Sequence, residues 1–217
     1  MKKILLCVAS TLATLFVVPA FAHHPLGGLP METFSHGMLS GVGHPLLGFD
    51  HLFFVLLMGV AAAFTANRFL SPLAYIISML VGCLVTAMWT TLPAVELVVA
   101  LSLLVLGSML LSGRQFSGTS LLVVFALFGL FHGGAFGASI ATQESGLALP
   151  VLVGYLIGLG VIQYVLAFIS GTVCTSAWKA SSMATLQPRL AGAMVAGVGL
   201  FLVLEHAEGP LLQFIVG

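Results

Sequence analysis

Residues 43–65 read GHPLLGFDHLFFVLLMGVAAAFT. From Pro45 to Thr65 the run matches the length of about 20 apolar residues that a membrane-crossing helix needs. Its ionisable side chains, Asp50 and His51, sit near its start, with His44 just ahead of it. Pro45 fits the first helical position, where its missing N–H leaves nothing unpaired. His44 is then expected just before the helix. Asp50 is expected about 8 Å along it at 1.5 Å per residue. A carboxylate at that depth costs several kcal/mol unless a cation, donors or water accompany it. The stretch therefore predicts both a transmembrane span and a functional acid inside it.

The rest of the chain agrees with a membrane setting. Of its 217 residues 60% are hydrophobic and 6% charged, against roughly 25% charged in soluble proteins. That is too little charge to cover a water-facing surface, whereas lipid tails accept Leu, Val, Phe and Ile. Five further apolar segments are each long enough to span: Pro72–Leu92, Ala94–Leu111, Thr119–Ile140, Leu149–Val173 and Leu190–Glu205. The expected fold is an all-α integral membrane protein, a compact bundle of about six transmembrane helices. Gly154 with Gly158, and Gly192 with Ala196, have the small-xxx-small spacing that lets helices approach closely. Such faces join helices of one chain or support a homo-oligomer.

The first residues carry a different signal. Lys2 and Lys3 precede an apolar stretch, Ile4 to Val18, broken by Pro19 and followed by Ala20-Phe21-Ala22. This is the pattern of a cleaved signal peptide. The expected organisation is a signal peptide over 1–22, a His/Gly/Pro-rich outward segment over 23–43 with a short helix near Thr33 to Leu39, and a polytopic membrane domain over 44–217. Cys7, Cys83 and Cys174 lie in apolar segments and form no CxxC pair, so neither a disulfide framework nor a thiolate metal site is expected.

Charge sets the orientation. After the signal peptide the basic residues are Arg68, Arg114, Lys179 and Arg189. All fall in or at the edges of the three connections expected inside, as the positive-inside rule requires. The chain is thus expected in a bacterial inner (plasma) membrane, with both mature termini on the periplasmic side. The acids Glu32, Asp50, Glu96, Glu144, Glu205 and Glu208 fall in outward regions, and so do His23, His24, His36, His44, His51 and His206. Acidic residues contribute little to topology, so this second asymmetry points to cation collection at the outer face. The net charge of zero gives no reason to expect nucleic acid.

Four groups of residues carry the chemistry. His44, Asp50 and His51 form the first. On one straight helix the two histidines would share a face but stand about 10 Å apart along the axis, too far for a shared ion at bonds of roughly 2 Å. Either His44 curls inward at the Gly43–Pro45 break, or the two serve successive stations. His132, among Gly133, Gly134 and Gly137 in the fourth span, has space beside it for an ion or a partner helix. Glu205 with His206, and Glu144 with Gln143, stand at outward ends of spans as ligands at the mouth. A mature N-terminus at His23 would chelate through its amine and imidazole, with His24 and His36 near. Imidazole with carboxylate and no thiolate favours a borderline divalent cation over copper(I), calcium or magnesium.

The motif His44-Pro45-x-x-Gly48-x-Asp50-His51 behind a signal sequence resembles the HupE/UreJ family of nickel/cobalt permeases, and the likeness extends over the whole mature chain. It implies uptake of Ni²⁺ or Co²⁺, with Zn²⁺ a weaker fit, as cargo and not as a prosthetic group. It also implies that His44, Asp50 and His51 handle the metal, and that His132 belongs to the fourth-span motif. That motif typically reads His-Gly-x-Ala-His-Gly; here Phe136 stands at the second histidine. A permease and not an enzyme is the reading that follows. An intramembrane zinc-dependent hydrolase is the alternative that the ligand inventory allows, and a metal sensor or accessory subunit is a third.

Overall fold

The computed structural model describes residues 31–142 and 148–216. The segment expected to be a signal peptide, with His23, His24, Gln143 and Glu144, lies outside the described residues. Those described are helical: α1 (Phe34–Leu47), α2 (Phe49–Ala62), α3 (Ser71–Met88), α4 (Val95–Leu111), α5 (Gly118–Ala141), α6 (Leu149–Thr172) and α7 (Leu186–Val216), with a π-helical turn, Val173–Ala177, extending α6. Four stretches are long and apolar enough to cross a bilayer: Ser71–Met88, Gly118–Ala141, Leu149–Ala177 and Leu186–Glu208. The pair α1 and α2, bent by 81° at its break, supplies a fifth if counted together, and α4 is a shorter apolar helix. Many exposed positions on these helices carry large apolar side chains, with Phe49 at 67% and Met194 at 72% exposure.

The opening motif folds differently from its sequence reading. Thr33 caps α1 by accepting the His36 N–H at 3.2 Å, and the helix runs on through His44 and Pro45 to Leu47. It therefore crosses the expected division at residues 43 and 44. Gly48 then takes an extended conformation (φ −83°, ψ 96°) and ends α1, its N–H donating to His44 C=O at 2.9 Å. The helix expected to begin at Pro45 begins instead at Phe49. His44 is a residue of α1's last turn, not the residue before a helix. Asp50 is the second residue of α2, not a group one and a half turns along a span.

Glycines explain why α1 can lie where it does. A methyl group on Gly37 would strike the carbonyl of Val151, and one on Gly158 the carbonyl of Met38. The Gly154 and Gly158 spacing thus serves α1 of the same chain, which rests backbone to backbone on α6. Gly192 and Ala196 meet Gly107 of α4 in the same way. The main helix pairs are α3 with α5, α4 with α7, and α1 with α6. Short α2 touches all six other helices and is the hub of the bundle, with Phe54, Val55, Met58 and Ala61 completely buried.

The basic connections gather at one end. Arg189 donates from Nε to Leu111 C=O at 3.1 Å, and Gln115 donates to Phe64 C=O at 3.1 Å, tying the α2–α3, α4–α5 and α6–α7 connections together. His51, in the first turn of α2, lies toward the opposite end.

Candidate functional site

The 81° bend at Gly48 changes the distances that a straight helix would impose. The rings of His44 and His51 stand 6.4 Å apart between centroids. The chain folds after His44 at Gly48, not at the expected Gly43–Pro45 break, and the fold brings the two rings together. Gly48 itself is tight against the group, since a Cβ there would sit 2.9 Å from His51 Cδ2 and 3.3 Å from Asp50 Oδ1.

Asp50 occupies the first turn of α2, where a carboxylate interacts favourably with the helix N-terminus. Its Oδ1 accepts the His51 backbone N–H at 2.8 Å. The same oxygen lies 3.9 Å from His51 Nε2, and the Asp50 side chain keeps 27% of its surface exposed. Asp50 is thus the partly accessible member of the group, and its helix end supports the charge that a deeper position would have penalised.

His132 comes from the middle of α5 and is completely buried. Its Nδ1 meets His51 Nδ1 at 2.7 Å, and its Nε2 meets Ser102 Oγ of α4 at 2.9 Å. Ser102 donates in turn to Val99 C=O at 2.6 Å. Both ring nitrogens of His132 are therefore engaged by protein. The rings of Phe54 and Tyr75 close the other sides, at 4.6 and 5.6 Å between centroids. Gly133 lets α5 come this close, because a methyl group there would strike the carbonyl of Met79 on α3.

Phe136, one turn beyond His132, fills the space between the two other imidazoles. Its ring centroid is 4.3 Å from that of His51 and 5.1 Å from that of His44, and the side chain is completely buried. Tyr155 of α6 donates its hydroxyl to Phe136 C=O at 3.3 Å and meets His44 Nδ1 at 3.0 Å. An aromatic hydrocarbon occupies the point where a further ligand would have faced both histidines. Among the described residues, no three His, Cys, Asp or Glu side chains converge closely enough to hold a metal ion together as they stand.

The remaining candidates are not gathered here. His36 sits at the start of α1, accepting the Glu32 N–H on Nδ1 at 3.3 Å, and is about 12 Å along the helix from His44. Glu205 and His206 are exposed on α7, where His206 Nδ1 pairs with Leu202 C=O of its own helix at 2.9 Å.

Sequence reasoning missed the groups that hold the histidines: Ser102, Tyr155, and a second buried polar layer beneath His132. In that layer Tyr75 donates to Gln163 Oε1 at 2.9 Å, and Gln163 donates to Leu159 C=O at 3.2 Å with Met79 sulfur at 3.8 Å. A lone Gln inside the apolar run of α6 was the available signal, because a buried amide demands partners. A cavity of about 170 Å³ lies not at the histidines but at the basic end, lined by Gly59, Ala63, Arg68, Tyr164 and Thr175 among others.

Comparison with known proteins identifies the family of the chain. The family model described as HupE / UreJ protein matches residues 11–202. Protein HupE of Rhizobium leguminosarum bv. viciae is 28% identical over 161 residues, covering 70% of this chain and 81% of that protein. No solved structure matches significantly.

Proposed function

Because the chain belongs to the HupE/UreJ family, we propose that it is a permease for a divalent transition-metal cation, nickel or cobalt, working inward across a bacterial inner membrane. The observation that carries this reading is the meeting of His44, Asp50 and His51 at the α1–α2 bend, backed by buried His132. Asp50 Oδ1 and His51 Nε2 are 3.9 Å apart. Bonds of about 2.1 Å to nitrogen and oxygen reach across that gap at an angle of about 135°. Two protein ligands, with water completing the shell, bind an ion without trapping it, as cargo requires.

The outer histidines, His36 and those nearer the N-terminus, raise the local cation concentration, and the acids on that side attract the ion. Asp50 receives it at the bend. The layer of Tyr75, Gln163 and Met79 offers oxygen and sulfur donors further along, and the cavity beside Arg68 provides a mouth for release at the basic end. The basic loops stand inside by the positive-inside rule.

Uptake of radioactive nickel or cobalt into proteoliposomes tests the reading. Wild-type protein should accumulate the ion and Asp50→Ala should not. Equal uptake by the two would sink it.

A further inference from the structure

We infer that Ser102 is a positioning residue that fixes the tautomers of His132 and His51, so that His51 turns a lone pair rather than a proton toward Asp50. Whether this matters to a cation rests on the Asp50–His51 site proposed above.

The assignment follows from counting hydrogens along one chain of contacts. Ser102 has one hydroxyl hydrogen. Its oxygen lies 2.6 Å from Val99 C=O. Two oxygens that close without a hydrogen between them would repel, and the distance is that of a short O–H···O bond. The hydrogen therefore belongs to Val99 C=O, and Ser102 Oγ is left to His132 as an acceptor. At 2.9 Å, His132 Nε2 must be the donor. A neutral imidazole carries one N–H, so His132 Nδ1 holds a lone pair. It faces His51 Nδ1 at 2.7 Å, and one hydrogen must lie between them. That hydrogen is on His51 Nδ1. With both rings neutral, His51 Nε2 then carries the lone pair.

The donors therefore run in one direction: His51 to His132, His132 to Ser102, Ser102 to the α4 backbone. Metal-binding histidines use the nitrogen opposite their hydrogen-bonded N–H, and the partner on that N–H fixes ring and tautomer. His132 thus acts through His51, and Ser102 through both, although Ser102 stands two residues removed from any ion.

The test uses full-length protein labelled with ¹⁵N-histidine, reconstituted in nanodiscs without metal. Ring ¹⁵N spectra should show His51 protonated on Nδ1 and His132 on Nε2, each identified by its loss in His51→Gln and His132→Gln. Finding the His51 hydrogen on Nε2 overturns the assignment before any variant of Ser102 is made. Ser102→Ala removes the acceptor, and Ser102→Cys keeps the size while weakening it. Both should mix or reverse the two tautomers and lower cobalt affinity about tenfold or more, the usual effect of losing an outer partner. Unchanged tautomers in both variants refute the role of Ser102. Shifted tautomers with unchanged affinity refute its consequence for the ion, provided Asp50→Ala abolishes cobalt binding. If Asp50→Ala also binds cobalt normally, the cation site fails instead, while the metal-free spectra decide the tautomers on their own.

Discussion

Replacing Gly48 with alanine should impair transport while leaving the fold in place. The backbone there (φ −83°, ψ 96°) is open to any L-residue, and removing a glycine from the unfolded chain stabilises by about 0.4–1 kcal/mol. The added methyl, however, would stand 2.9 Å from His51 Cδ2. Carbon atoms prefer about 3.5–4.0 Å, so the imidazole must retreat by about 0.6–1.1 Å. It cannot retreat without disturbing the 2.7 Å contact with His132 or the 3.9 Å spacing to Asp50. A misplacement of about 1 Å in a reacting constellation costs up to about 100-fold. Initial rates of cobalt uptake into proteoliposomes, at matched protein, should fall about 10- to 100-fold. The unfolding midpoint should move by no more than a stability change of about 1 kcal/mol implies. Wild-type uptake by Gly48→Ala would show that the packing of the bend does not govern the site.

Two further substitutions probe the surroundings. Phe136→His places an imidazole beside both His44 and His51, whose ring centroids are 5.1 and 4.3 Å away; calorimetric titration should show cobalt or nickel affinity raised about tenfold or more, with slower uptake because release is slowed. Gly158→Val drives a side chain into the carbonyl of Met38, and overpacking of this kind costs about 1–3 kcal/mol or more; the thermal midpoint should drop and uptake with it, because α1 carries His44.

Hydrophobic runs made the helices of the bundle readable, since α4, α5 and the start of α6 begin within a residue or so of the expected Ala94, Thr119 and Leu149. A short helix near Thr33 to Leu39 was legible, but its continuation through His44 to Leu47 was hidden for a physical reason. Its sequence is rich in glycine at Gly37, Gly41 and Gly43, which gives poor intrinsic helix propensity. What holds it is backbone-to-backbone packing on α6, a tertiary effect with no local pattern. Pro45 misled similarly: a proline suits the first turn of a helix, but here its missing N–H falls in the last turn, just before Gly48 breaks the chain. Asp50 and His51 were legible as unusual groups in an apolar run. Their distance from His44 was not, because it depends on the angle at one glycine. Ser102 bonds back to its own helix, as a serine inside an apolar helix commonly does. Only the placement of α5 beside α4 reveals the second contact, to His132.

The central claim is that a divalent cation sits at the bend between α1 and α2. A crystal soaked in cobalt, with anomalous scattering recorded at the cobalt edge, tests it directly. The account predicts a peak between Asp50 Oδ1 and His51 Nε2 that vanishes in Asp50→Ala. Cobalt bound elsewhere in the bundle, with no peak at Asp50, would contradict it.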